Sequence, residues 1–129
     1  MDWKWLLLSR EGRIPRKVYW LNFVLPVTII GMLIGVVEQM VGMGDGDTTA
    51  LLSQPLSALF SLAVIWPSLC VSAKRCHDRD KSAWWILINF VPLVGVIWWV
   101  IEFGCLRGTI GPNRFGPDPV APTRLASPA

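Results

Sequence analysis

The sequence predicts an all-α membrane protein with three transmembrane helices and a short N-terminal interfacial helix. The 129-residue chain is 53% hydrophobic and only 16% charged, with a mean hydropathy of +0.48, whereas a soluble domain carries about a quarter charged residues. The charges are clustered, which leaves three apolar runs of about twenty residues, the length needed to cross a hydrocarbon core about 30 Å thick. Cations and tryptophans lie at the ends of these runs, as is typical of membrane interfaces.

The N-terminal stretch, residues 2–9, is apolar and contains two tryptophans, but it is too short to cross a bilayer. It is therefore predicted to lie as a helix on the membrane surface, the alternative being a frayed terminus. Residues 10–17 follow as a turn. Pro15 in this turn can open the next helix, because the N–H that proline lacks has no partner at a helix start.

The first span is predicted over residues 18–41. Pro26 is expected to kink it, and Glu38 and Gln39 are expected near its far end, where polar side chains can reach water. Gly31 and Gly35 form a G-x-x-x-G pattern, which allows another helix to approach closely.

The second span is predicted over residues 51–73, after a glycine-rich loop at 42–49 that carries two aspartates and no cation. Three serines spaced four residues apart form one stripe on this span. Such a stripe favours a helix-packing face over a pore lining. Its members are Ser53, Ser57 and Ser61.

The third span is predicted over residues 83–106. Two tryptophan pairs stand fourteen residues apart in it, which is about 21 Å along a helix. This separation fits the two aromatic belts of a single crossing. The pairs are Trp84 with Trp85 and Trp98 with Trp99. Residues 1–119 are predicted to form one membrane domain, and residues 120–129 a disordered tail.

The cations set the predicted orientation, because lysine and arginine are retained on the cytoplasmic side of a membrane. Nine of the twelve lie before the first span or between the second and third, and none lies in the loop after the first span. The N-terminus is therefore predicted to be cytoplasmic, and three crossings place the tail outside. If Pro92 and Gly95 instead fold the third run into a re-entrant hairpin, the tail and all twelve cations are cytoplasmic; the tryptophan spacing favours three crossings.

Residues 74–85 place four cations, two carboxylates and the single histidine between two apolar runs. His77 beside Asp78 is the one indication of catalysis, as a general base or proton carrier, but no nucleophile stands at an informative spacing. A metal site needs three or four ligands, so no metal and no cofactor is predicted. The favoured interpretation is an interfacial cluster in which Asp78 pairs with a nearby arginine and His77 bonds to backbone or carboxylate. The candidates are Arg13, Arg16, Arg75, His77, Asp78, Arg79, Trp84 and Trp85.

Three ordered motifs, at residues 12–20, 74–85 and 108–119, resemble those of small bacterial inner-membrane proteins grouped as domain of unknown function 805. The resemblance covers roughly residues 1–119, adds Asn113 and Arg114 to the candidates, and implies a polytopic inner-membrane protein of the bacterial cell. It supplies no established activity. The chain departs from the usual second motif, which is closer to Arg-Arg-Leu-His-Asp followed by a glycine. The departures are Lys74, Cys76 and Asp80, of which the aspartate can still adopt the left-handed conformation of a helix end.

Three classes of function remain. The favoured one is an interaction or assembly protein of the membrane, whose partners are the lipid bilayer with its anionic headgroups and either a second copy or other membrane proteins. A small channel or transporter is the alternative, weakened because few polar residues lie deep in the spans. A membrane enzyme using His77 and Asp78 is the third. Nucleic acid is not an expected partner, because the cations flank apolar segments.

Overall fold

The computed structural model describes residues 2–43 and 54–120, and the regular structure within these ranges is helical. The all-helical prediction is confirmed for this part of the chain. Ser53, most of the loop predicted at 42–49, and residues 121–129 of the predicted tail lie outside the described residues. The elements in chain order are α1 (Trp3–Leu8), α2 (Arg16–Met40), α3 (Pro55–Asp78), a 3₁₀ helix (Ala83–Phe90) and α4 (Val94–Cys105).

The short helix α1 begins at a side-chain cap. The Asp2 carboxylate accepts hydrogen bonds from the backbone N–H groups of Lys4 and Trp5, which supplies partners for donors that a helix start leaves free. Leu6 is fully buried on the inner face. The N-terminal stretch is therefore a packed helix rather than a frayed end, and its position at a membrane interface stays a prediction.

The two long helices α2 and α3 contain 25 and 24 residues, about 36 Å each at 1.5 Å per residue. They are antiparallel neighbours, since Glu38 near the end of α2 contacts Ser57 near the start of α3. Their apolar side chains largely point outward; Met32, for example, is 68% exposed. Both helices are long and apolar enough to cross a membrane.

The first two helices differ from their predicted form in detail. Pro15 precedes α2 in an extended conformation instead of opening it. A π-helical turn, Trp20–Val24, lies just before Pro26, at the place where a kink was expected. Proline lacks the N–H that an α-helix needs there, and π turns are one of the usual causes of irregular helix geometry.

The second span was predicted to end at residue 73, but α3 continues into the charged segment as far as Asp78. The helix ends beyond that residue, where Asp80 takes a φ of 56°. Aspartate tolerates this left-handed conformation better than most residues. Residues 74–78 therefore form the last helical turn, and their side chains project in fixed directions.

The structure corrects the prediction of a continuous third helix over residues 83–106. The chain breaks at Pro92 and Leu93, where Leu93 has a φ of 64°, and the two halves fold back on each other. A Cβ at Gly95 would stand only 2.6 Å from the backbone of Asn89, so the halves touch at this glycine. We call residues 83–105 the apolar hairpin.

The tryptophans expected in two separate belts lie at the same end of the apolar hairpin. The rings of Trp85 and Trp98 stack with centroids 6.4 Å apart and planes 13° from parallel, whereas a straight helix would separate these residues by about 20 Å. The spacing that favoured a crossing therefore reflects a stack across a hairpin.

The buried apolar core lies at the end of the molecule where α1, the start of α2, the end of α3 and the hairpin meet. Tyr19 is its centre, with ring contacts to Trp99 and Phe103 and a hydroxyl that accepts a 2.7 Å hydrogen bond from the Trp99 indole. Edge-to-face aromatic pairs add about 0.5–1.5 kcal/mol each beyond their burial. The core members are Leu6, Ile14, Tyr19, Phe23, Val71, Cys76 and Phe103.

Candidate functional site

A buried ion-pair cluster lies where the last turn of α3 meets the turn before α2. Arg13 Nη2 donates to Asp78 Oδ1 at 3.1 Å, and Arg75 Nη1 donates to Asp78 Oδ2. The side chains of Arg13, Arg75 and Asp78 are only 1%, 0% and 3% exposed. We call these three residues the arginine–aspartate cluster. Two guanidinium groups share one carboxylate, so a net positive charge must be stabilised by other groups.

Backbone carbonyl groups supply that stabilisation. Arg13 donates further hydrogen bonds of 2.6 and 2.8 Å, and Arg75 donates bonds of 3.2 and 2.7 Å. Hydrogen bonds to charged donors are the stronger ones in proteins. The acceptors are Phe103 O at the end of the apolar hairpin, Leu106 O directly after it, and Thr109 O and Gly111 O in the tail segment, residues 107–118.

The tail segment passes directly over Asp78. The Thr109 N–H donates to the Asp78 carbonyl at 2.6 Å. A Cβ at Gly108 would stand 1.9 Å from Asp78 Oδ2, a distance at which any side chain collides with the carboxylate. Glycine at this position is therefore required by the close approach of the tail segment to the cluster.

A second carboxylate, Glu102, holds the end of the hairpin against the end of α3. Arg79 Nε donates to Glu102 Oε2 at 3.0 Å, and the Lys81 ammonium contacts Glu102 Oε1. Arg79 also donates to the carbonyl of Arg107 at 2.6 Å. These contacts join positions about twenty residues apart in sequence and keep the two ends of the apolar hairpin together.

Lys74 is fully buried, and its side chain caps the C-terminal end of α1. Its ammonium donates to the carbonyls of Trp5 and Leu6 at 2.7 Å each, and also to that of Ser9. The last carbonyls of a helix have no partner within the helix, and a cation at a C-terminus is also favoured by the helix dipole. The lysine at which this chain departs from the usual family motif therefore caps α1.

His77 and Asp78 do not act on each other. The His77 ring places Nδ1 3.2 Å from the Gly12 carbonyl and stacks on Phe115 with centroids 4.0 Å apart. The Asn113 side chain donates to the His77 carbonyl at 2.9 Å. His77 thus joins the N-terminal turn to the tail segment, while both oxygens of the Asp78 carboxylate are bound by arginines.

The remaining interfacial candidates occupy the edge of this region. Arg16 donates to the Cys105 carbonyl at 3.0 Å and not to Asp78. Arg114 forms an exposed ion pair with Asp80 at 3.3 Å, and Trp84 is 78% exposed. These three positions are peripheral to the arginine–aspartate cluster.

The two glycines predicted to pack helices face different surroundings. A Cβ at Gly31 would lie 3.4 Å from the Phe60 ring of α3, whereas a Cβ at Gly35 would have no atom within 4 Å. Gly31 therefore allows close packing between α2 and α3 of the same chain. The space beside Gly35 is not filled by any other part of the chain that the structure describes.

The described serines of the stripe belong to the far end of the helix pair. Ser57 donates its hydroxyl to Glu38, whose carboxylate also accepts the backbone N–H groups of Leu56 and Ser57 at 2.6 and 3.0 Å. Ser61 is exposed and donates to the Ser57 carbonyl within its own helix. The expectation that polar side chains here reach water is wrong for Glu38, which is 1% exposed and caps α3, whereas Gln39 is exposed.

Sequence reasoning missed the roles of Glu102, Glu38 and Gly108. The first two are lone carboxylates near the ends of apolar runs, and that isolation is a signal that each has a specific partner, since an unpaired charge there is costly. No local signal indicates that Gly108 would lie against Asp78, because that contact depends on where the tail segment returns.

The buried polar groups of this region form a hydrogen-bonded network. Across residues 2–43 and 54–120, each buried side-chain nitrogen and oxygen has a hydrogen-bond partner. The same ranges contain no group of three His, Cys, Asp or Glu side chains that could hold a metal ion. The contacts of the cluster join four segments: the N-terminal turn, α3, the apolar hairpin and the tail segment.

The fold and this cluster define a class: a small helical membrane protein whose two long apolar helices are joined at one end by buried arginines around an aspartate. The chain belongs to the family described as Protein of unknown function (DUF805), whose sequence model matches residues 7–117. The resemblance seen in the three motifs is thereby confirmed.

Three relatives from Escherichia coli strain K12 align over most of the chain. Inner membrane protein YhaH is 36% identical over 123 residues, covering 92% of this chain and 97% of the relative. Inner membrane protein YhaI is 41% identical over 111 residues, covering 84% of each. Uncharacterized protein YiiR is 29% identical over 136 residues, covering 87% of this chain and 86% of the relative. No solved structure matches the chain significantly.

Proposed function

We propose that this chain is a bacterial inner-membrane protein that crosses the bilayer twice, through α2 and α3. The apolar hairpin then enters and leaves the bilayer on the cytoplasmic side. The relatives named as inner membrane proteins support the location. The contacts of Arg79 and Lys81 with Glu102 support a hairpin whose two ends share one side of the membrane.

The cation distribution supports the same orientation. The arginine–aspartate cluster joins the start of α2, the end of α3 and the tail segment, and the described cations lie in or beside these segments. The positive-inside rule places that end in the cytoplasm. Both termini are then cytoplasmic, in place of the three crossings and external tail favoured by the tryptophan spacing.

Reporter fusions in intact cells test the topology. Fusions after Lys81 and after Asp118 should both report a cytoplasmic position, and a fusion in the loop between α2 and α3 should report an external one. A fusion after Asp118 that reports an external position would restore three crossings and remove the re-entrant hairpin.

The function supported best is that of an interaction or assembly protein in the membrane. The observation that carries this proposal is the internal use of the charged motif: its side chains bind one another and the backbone, so they organise the protein rather than present a free acid or base. The surface left for partners is the apolar exterior of α2 and α3. Gly35 on that surface allows a second transmembrane helix, from another copy or another protein, to approach closely.

Cross-linking in native membranes, followed by affinity purification, tests this function. Gly35→Leu should remove a cross-linked partner, because the added side chain blocks close helix contact. Val36→Leu, at an exposed neighbouring position, is the matched control and should leave the partner bound. A selective solute flux through liposomes containing the purified protein, with no cross-linked partner, would favour the channel or transporter instead.

A further inference from the structure

A groove runs along the outside of α3 toward the turn that follows α1. Its apolar part has a volume of about 340 Å³ and is walled by Trp66 and Leu69 of α3 and by Leu87 and Phe90 of the 3₁₀ helix, with Arg10 at one end. The four apolar side chains are 41–81% exposed, so the groove opens sideways. In a bilayer that side faces lipid chains rather than water.

The groove continues into a polar mouth. A second depression of about 520 Å³ shares Arg10, Trp66 and Ala83 with the apolar part and adds Glu11 and His77 to its lining. The combined shape is a slot with an apolar wall on one side and a charged opening where α1 ends.

The two charges at the mouth are of opposite sign. The Arg10 guanidinium lies over the Trp66 ring at 5.8 Å from its centroid, a cation–π contact that directs it toward the slot. Neither Arg10 nor Glu11 takes part in the ion pairs formed among residues 2–43 and 54–120. Both residues are exposed, so each charge is available to a ligand.

We propose that this slot binds one glycerophospholipid with a phosphoethanolamine headgroup. Its phosphate accepts hydrogen bonds from Arg10, its ammonium donates to Glu11, and an acyl chain lies on the wall of Trp66, Leu69, Leu87 and Phe90. A mouth with one cation and one carboxylate matches a headgroup that carries a phosphate and an ammonium. A purely anionic headgroup would meet the Glu11 carboxylate unfavourably.

This site rests on the proposed membrane placement, because Arg10 must lie at the cytoplasmic headgroup level for a bilayer lipid to enter sideways. The 3₁₀ helix that precedes the break supplies one wall of the slot, through Leu87 and Phe90.

Native mass spectrometry of the full chain in detergent tests the site. The lipids are ethanolamine, choline and glycerol phospholipids with identical acyl chains, and inorganic phosphate is the competitor. The wild-type chain should bind the ethanolamine lipid about tenfold more tightly than the glycerol lipid, the size of one charged hydrogen bond. The choline lipid, whose quaternary ammonium cannot donate a hydrogen bond, should bind more weakly than the ethanolamine lipid.

Three charge variants separate the roles at the mouth. Arg10→Gln should weaken binding of all three lipids by about tenfold. Glu11→Gln should remove the preference for the ethanolamine lipid over the glycerol lipid. Lys17→Gln, an exposed cation outside the slot, is the matched control and should change nothing.

Several results would overturn the site. Equal losses in Arg10→Gln and Lys17→Gln would show general attraction to charge, and tighter binding of the glycerol lipid by the wild-type chain would show an anionic-lipid surface. Competition by inorganic phosphate would show an anion site without a lipid. A Leu87→Trp variant that fills the slot and still binds normally would remove the acyl-chain wall. Lipid binding is measured in detergent, so its result does not depend on the topology fusions or on the cross-linking experiment. Failure of the fusions or of the cross-linking would count against the proposed function alone.

Discussion

The two ends of the α2–α3 helix pair are held by different kinds of interaction. At one end the arginine–aspartate cluster is buried and draws acceptors from the hairpin and the tail segment. At the other end a single carboxylate, Glu38, caps the start of α3 with three hydrogen bonds. The first end determines where four segments lie relative to one another, whereas the second sets only the register of two helices. Damage at the first end should therefore spread through the molecule, and damage at the second should stay local.

The largest effect is expected from Asp78→Ala, because it leaves Arg13 and Arg75 buried without their carboxylate. Removing one partner of a buried ion pair costs about 3–5 kcal/mol, and the tail segment should become open to protease. Thermal unfolding in detergent and limited proteolysis measure both effects.

Double mutants identify the partner of Asp78. Arg13→Ala with Asp78→Ala should cost less than the sum of the single changes, because the two side chains share one interaction. Arg16→Ala with Asp78→Ala is the control and should be additive, since Arg16 binds the Cys105 carbonyl. Strong coupling between Arg16 and Asp78 would contradict the observed pairing.

Gly108→Ala adds one methyl group at the closest approach of the tail segment to the cluster. The methyl would collide with the Asp78 carboxylate, and forcing such a group into a packed site costs about 1–3 kcal/mol. Gly35→Ala adds the same group near the other end, in open space, and should not lower the melting temperature. Equal melting temperatures for the two variants would show that the tail segment does not press on Asp78.

Glu38→Gln tests the end of the α2–α3 pair at which Glu38 caps α3. The loss of a charged helix cap costs about 0.5–2 kcal/mol, and Gln39→Ala at the exposed neighbouring position should cost less. Proteolysis of the tail segment should be unchanged in both variants. A tail that becomes cleavable in Glu38→Gln would mean that the two ends are coupled and that the contrast between them is wrong.

His77→Ala should have the smallest effect, because it removes one ring stack and one contact with the Gly12 carbonyl. Loss of an aromatic pair costs about 0.5–1.5 kcal/mol, measured as a shift in melting temperature. If the variant is stable in the membrane but abolishes a cellular phenotype of the wild-type gene, His77 is part of a binding or active site and not only of the scaffold.

The predictions from sequence were most accurate where the deciding interactions are local. Residues 18–41 and 51–73 were expected as spans, and the described helices Arg16–Met40 and Pro55–Asp78 agree to within a few residues. The end of α3 was placed five residues too early, because charge alone does not end a helix. Lys74 can remain helical because its ammonium donates to a backbone carbonyl of α1. Asp78 can remain helical because its carboxylate pairs with Arg13 of the N-terminal turn.

The sequence by itself determined the helical membrane class, the length of the first two apolar helices and the gathering of cations near residues 10–17 and 74–81. Composition and run length are sufficient for these features, because a bilayer selects for apolar length and internal hydrogen bonding. The tertiary structure alone decided the fold-back of residues 83–105. Two tryptophan pairs fourteen residues apart favoured a straight crossing, but in the structure Trp85 stacks on Trp98 across a hairpin. The fold-back depends on Glu102 meeting Arg79 and Lys81 across about twenty residues of chain.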